Sequence, residues 1–265
     1  MRILVATDFA TNSQRAVRRA GILARADCKE MLLMHVVGGT GTGRVAMDLR
    51  EAHRTLAEQI GVVPELAGAA CEPLVIGGDP SLSILEAAEA WEVDLIVVGA
   101  PRGVRPGYGG TVRSLVRSSA CPVLVVKQAA SQRYANVLAP VTLSDSSARA
   151  LRCMSSLKIA HGGRITIVHA FEALSKGRMH TVGISREHIE SYVDGWRKWA
   201  EDEVDGFLKL YGFADRQWSR RVVEGSPRGV ISHVAKQVLP DLLVLGLGLD
   251  QHQKTMTAAR ATAEA

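Results

Sequence analysis

The sequence predicts an α/β protein built as two tandem, open, doubly wound parallel-sheet domains. Three observations carry this: short continuous runs of Val, Ile and Leu, helical patterns between them, and a gapless internal repeat. Alternating strands and helices feed a parallel sheet. Runs that are apolar at every position suit strands covered on both faces.

In the first half the strand runs are Ile3–Thr7, Met31–Val37, Leu74–Ile76, Leu95–Gly99 and Val123–Lys127. Between the first two, Ser13–Ala26 carries apolar or small residues at 16, 17, 20, 23 and 24, the period of a helix with one buried stripe. Pro80 follows Gly78-Asp79 and opens a helix over Ser81–Trp91, a position where proline's missing N–H costs nothing. A further helix begins near Thr111. Segment 2–37 then lies over 136–171 with eight of 36 positions identical, among them Leu4/Leu138, Ser13/Ser147, Arg15/Arg149, Ala16/Ala150 and His35/His169. Segment 75–99 lies over 222–246 with nine of 25 identical, among them Gly78/Gly225, Pro80/Pro227, Asp94/Asp241 and Gly99/Gly246. A repeat this long means a duplicated domain, not a solenoid array. The expected domains are 1–129 and 134–265, and Gly225-Ser226-Pro227 is expected to start a helix as Gly78-Asp79-Pro80 does.

Composition narrows the class. The chain has 265 residues and is 47% hydrophobic, which excludes a disordered chain, and no run of about 18 apolar residues suggests a membrane span. Cys28, Cys71, Cys121 and Cys153 are widely spaced without a Cys-x-x-Cys pair. A disulfide framework or zinc knuckle is therefore not expected, and the thiols read as inert core residues. MRILVATDF enters a strand at once, without the regions of a secretory leader, so a cytoplasmic location is the expectation. A net charge of +5 suits an anionic ligand and is too weak to argue for nucleic acid.

Three strand ends carry polar or glycine-rich sequence. Asp8 follows Ala6-Thr7 at the end of the first strand. Its carboxylate either faces a ligand's hydroxyl or amino group, or satisfies N–H groups at the start of the next helix. After Gly99 the chain reads APRGVRPGYGGTVRSLV. The main chain of Gly110-Thr111-Val112, feeding a helix N-terminus, makes an anion site, and Arg102, Arg105 and Arg113 add positive charge; the competing reading is a solvated connection. GGTGTG at 38–43 lacks the spacing and the following acidic residue of a dinucleotide fingerprint and reads as a mobile loop. His35 and His169, in equivalent places, read as hydrogen-bonding locks on a strand end. His180 and His188 are placed in a loop and at a helix start, and Trp196 and Trp199 in the second core. No catalytic set and no metal site emerge.

Taken together, VATDF-x-x-x-S, LLMHVV, GGDPSLSILEAAEAWEVDLIVVG, GGTV and CPVLVVK resemble the universal stress protein family, in a tandem form. The resemblance implies a five-stranded parallel sheet in the first domain and the same sheet without its last strand in the second. It also implies an adenine nucleotide, ATP with Mg²⁺, held by Ala6, Thr7, Asp8, Val36, Gly99, Arg102, Gly103, Gly110, Thr111 and Val112. The glycine loop departs from the family pattern: it is two positions shorter and carries Pro101 and Pro106, and the middle glycine falls at Gly103, one place after Arg102. In the second domain Thr142 replaces the aspartate and no Gly-Ser/Thr-Val follows Gly248, which implies a structural role. The expected function is a non-enzymatic stress-response sensor, with at most slow ATP hydrolysis; the alternative is a nucleotide-free dimerisation or interaction module. Only Val123–Lys127 can serve as a pairing strand, so the resemblance implies an asymmetric domain contact or a homodimer through the first domain. Neither a nucleic-acid nor a membrane partner is expected.

Overall fold

The computed structural model describes residues 1–27, 30–38, 42–101, 110–129 and 132–247. They form two compact units, Met1–Arg133 and Tyr134–Ala265.

The first unit runs β1 (Arg2–Ala6), α1 (Thr11–Asp27), β2 (Glu30–Val37), α2 (Thr42–Val62), a 3-10 turn (Pro64–Leu66), β3 (Cys71–Gly77), α3 (Pro80–Ala90), β4 (Leu95–Gly99), α4 (Gly110–Ser118) and β5 (Val123–Val126). Its strands are parallel in the order β3-β2-β1-β4-β5. Residues Ile3, Leu4 and Val5, and Leu95 to Val98, are all buried, as strands covered on both faces require. The α1 stripe read from the sequence is the buried one: Ala16, Val17, Ala20, Leu23 and Ala24. On one face of the sheet Leu4, Met34, Ile84, Ile96 and Leu115 pack into a single cluster.

β3 is longer than the apolar run suggested, pairing with β2 from Met31↔Cys71 to Val37↔Gly77. Pro73 is tolerated because β3 is the edge strand, where a missing N–H on the outer side breaks no ladder bond. Helix α2 takes up the last two residues of GGTGTG, while 39–41 lie outside the described residues.

The second unit comprises β6 (Asn136–Pro140), α5 (Asp145–Ser156), β7 (Arg164–Phe171), α6 (Lys176–Thr181), α7 (Arg186–Leu210), β8 (Ser219–Glu224), α8 (Pro227–Val238) and β9 (Leu242–Leu243). Its parallel order is β8-β7-β6-β9, one strand fewer than the first sheet among the described residues. α8 starts at Pro227, as the repeat required. Three expectations need correction. His180 lies in the short helix α6, not in a loop. Trp199 is 56% exposed; only Trp196 reaches the Ile189–Val193 cluster, and Trp199 leans edge-on against it, ring centroids 5.6 Å apart. The described cysteines are half-buried, not core; burial raises the Cys121 thiol above its ordinary range, which keeps it protonated and unreactive.

The residues shared by the two halves are those that backbone geometry demands. Gly78 and Gly225 end β3 and β8 at φ 145° and 138°, where side chains are strained. Asp94 accepts from the Arg2 N–H at 2.7 Å, and Asp241 from the Ala135 and Asn136 N–H groups at 2.7 and 3.0 Å. Each pins the start of its unit's first strand. His35 Nδ1 donates to the Thr7 carbonyl at 2.7 Å, and His169 Nδ1 to that of Val141 at 2.9 Å. The imidazoles tie the exits of neighbouring strands together, the role the sequence assigned them.

Where the copies differ, chemistry is local. Asp79 caps α3, accepting from the Ser81 and Leu82 N–H groups at 2.9 Å each, whereas the Ser226 side chain makes no such bond. The Leu82 N–H, foremost, holds the Asp79 carboxyl below its ordinary value of 3.8. A depressed carboxyl contributes stability that is complete above that value and is lost as pH falls below it. Thermal melting of Asp79→Ala should therefore show a deficit at neutral pH that narrows in acid; a deficit constant down to the acid limb would contradict the charged cap.

Candidate functional site

The strand order reverses between β1 and β4, and ligands of open α/β sheets bind beyond the carboxyl ends at such a point. Two of the sequence-selected segments end here. β1 closes with half-buried Ala6 and buried Thr7, and Asp8 is exposed beyond it. Phe9 then adopts φ 61°, turning the chain into α1 with its ring 4.4 Å from that of His35. Asp8 Oδ1 accepts from the Ala10 N–H at 3.0 Å and the Ser13 hydroxyl at 2.6 Å, so the carboxylate helps shape the entry to α1. In the second unit Thr142 stands in this place: its N–H donates to Ser147 Oγ at 3.0 Å, and its hydroxyl meets those of Ser144 and Ser147. The turn survives there without the charge.

β4 ends at Gly99, against the first turn of α1. A Cβ on Gly99 would sit 2.5 Å from the Asn12 carbonyl oxygen, closer than any real contact. The Asn12 side-chain amide donates to the Ala100 carbonyl at 2.9 Å, closing the junction. Asn12 and Phe9 were not picked out from the sequence; their places beside Ser13 and Asp8 in the repeat were the available signal. Val36 lies at the adjacent exit, paired with Ile76. Arg102, Gly103 and Arg105 lie outside the described residues, and so does Gly248 in the second unit.

α4 opens at Gly110. A Cβ there would meet nothing within 4 Å, so no close contact among the described residues demands a glycine. The first-turn N–H groups of Gly110, Thr111 and Val112 have no intrahelical partner by the geometry of a helix start. The first turn contains no acidic residue, and exposed Arg113 lies on the same helix. The Val112 and Leu115 side chains are buried in the first-unit core, which anchors the helix from below. Such an N-terminus offers donors and a positive dipole end to an anion. Among the described residues no group of three or more His, Cys, Asp or Glu could hold a metal ion, and no helix is long and apolar enough to cross a membrane.

The description "Universal stress protein family" matches the chain twice, over residues 1–127 and 133–248. A universal stress protein from Archaeoglobus fulgidus DSM 4304 is 18% identical with a TM-score of 0.64, over 91% of this chain and 85% of that one. A protein of Pseudomonas aeruginosa PAO1, described as functionally unknown, is 16% identical with a TM-score of 0.57, over 94% and 84%. At these identities the likeness is one of fold. No curated protein matches the chain.

Proposed function

The chain belongs to the universal stress protein family, both halves matching it, and from this premise we propose that the first unit binds an adenine nucleotide, ATP with Mg²⁺, as a stress-linked sensor, the second unit being a structural companion. The observation that carries this reading is the α4 N-terminus. Gly110 leaves open space where nothing among the described residues calls for it, beside the Thr111 hydroxyl and three main-chain donors. Phosphate oxygens suit those donors. Asp8 and Val36 then serve the nucleoside end, and Ala6, Thr7 and Gly99 frame the crevice, with Arg102 and Gly103 from the sequence between β4 and α4. The Mg²⁺ travels on the phosphates. No residue is assigned as a catalytic base, so any hydrolysis is slow and incidental.

A second reading, a nucleotide-free homodimerisation or interaction module, is favoured by one observation: Asp8 Oδ1 already accepts from Ala10 and Ser13. Thermal melting separates the two. A ligand at a hundred times its Kd stabilises the native state by about 2.7 kcal/mol, so ATP with Mg²⁺ should raise the melting temperature by several degrees. Gly110→Val, which fits sterically but crowds the donors, should abolish the rise while leaving the ligand-free midpoint in place. No shift with ATP, ADP or AMP at millimolar concentration would select the interaction module.

A further inference from the structure

The two units make the same turn where their first strand ends, yet fill it with different side chains. Phe9 at φ 61° and Leu143 at φ 55° hold equivalent places in the repeat. Each follows a residue whose main-chain N–H donates to a serine hydroxyl, Asp8 to Ser13 at 3.3 Å and Thr142 to Ser147 at 3.0 Å. In each unit an imidazole fastens the neighbouring strand to the residue before that one, His35 to the Thr7 carbonyl and His169 to that of Val141. A leucine therefore satisfies this turn in the second unit, and the backbone does not call for an aromatic ring at position 9.

Phe9 makes a contact that Leu143 cannot. Its ring lies against that of His35, centroids 4.4 Å apart and planes tilted by 34°. The bond from Nδ1 to the Thr7 carbonyl, 2.7 Å long, holds the imidazole in place, so Phe9 rests on a fixed backing. Phe9 is only half-buried; that backing does not enclose it. Phe9 follows Asp8 in the chain, and His35 precedes Val36, so the stacked pair adjoins both residues assigned above to the nucleoside. In the second unit those places change together, Asp8 to Thr142, Phe9 to Leu143 and Val36 to Ala170, while the serine and the histidine are kept. The kept residues shape the turn. The changed ones are those that would meet a ligand.

We infer that the Phe9 ring is the platform on which the base of the nucleotide stacks. This rests on the nucleotide reading of the first unit and adds the element that tells a nucleotide from a bare polyphosphate. The α4 N-terminus offers donors to any chain of phosphates. A flat aromatic head gains from a ring as well: stacking a base on an aromatic side chain is worth about tenfold or more in affinity. Because His35 holds the ring in advance, little ordering remains to be done when the base arrives.

Isothermal calorimetry on the full chain tests this with ATP and with tripolyphosphate, both with Mg²⁺. Phe9→Leu copies the second unit's residue at a φ that Leu143 already adopts, so the variant should still fold. It should bind ATP about tenfold more weakly and tripolyphosphate as the parent does. Phe9→Tyr, which keeps the ring, should hold ATP nearly as the parent does. Equal ATP affinity in the parent and Phe9→Leu would overturn the platform and leave the nucleotide reading standing. Parallel loss of ATP and tripolyphosphate binding would also overturn it, since Phe9 would then only shape the crevice. A parent chain that binds no ATP would defeat the nucleotide reading itself, and the platform with it.

Discussion

Gly99→Ala is expected to unfold the first unit, or to leave it at least about 3 kcal/mol less stable. The added Cβ would lie 2.5 Å from Asn12 O and 2.7 Å from Ser13 N, and both are backbone. No rotamer change relieves such a contact; either β4 or the start of α1 must move. Moving α1 breaks the Ser13–Asp8 bond and the Asn12–Ala100 bond together. Gly110→Ala is the matched control, because open space surrounds that Cβ; its midpoint should stay within about 0.5 kcal/mol of the parent. Denaturant unfolding of both variants decides the matter, and equal midpoints for the two would contradict the close packing at the end of β4. Gly246 abuts the Ser146 carbonyl in the same way, so Gly246→Ala should reproduce the loss in the second unit.

Leu115→Ala is expected to cost about 2–5 kcal/mol, the range for a fully buried leucine whose site cannot collapse. Leu115 is 0% exposed and joins α4 to Ile84, Ala88 and Ile96 through the core. It is also the residue that seats the α4 N-terminus. The ATP-induced rise in melting temperature should therefore shrink in this variant, as it should in Gly110→Val, but from a lowered ligand-free midpoint. Calorimetric scans with and without nucleotide separate the two cases, and an unaltered midpoint would show that α4 is not held from its buried side.

Much of the fold was legible because buried parallel strands leave little choice of residue. LIVVG over β4 and the 16-17-20-23-24 stripe of α1 admit one reading each. β3 was half hidden, since an edge strand accepts Pro73 and Glu72 where a central one would not. Trp199 misled because a large apolar residue three positions after Trp196 falls on the helix flank, past the buried stripe. In the candidate site the individual strand ends were readable, since Asp8, Gly99 and Gly110 each interrupt an apolar run. The engagement of Asp8 by Ser13 was not, because it depends on the positive φ at Phe9, which the sequence does not announce.

The paired imidazole latches carry a consequence for the tautomer of each ring. A carbonyl only accepts, so Nδ1 of His35 and of His169 must be the protonated ring nitrogen. Both fastenings therefore need only the hydrogen that Nδ1 already carries, and neither depends on a charged ring.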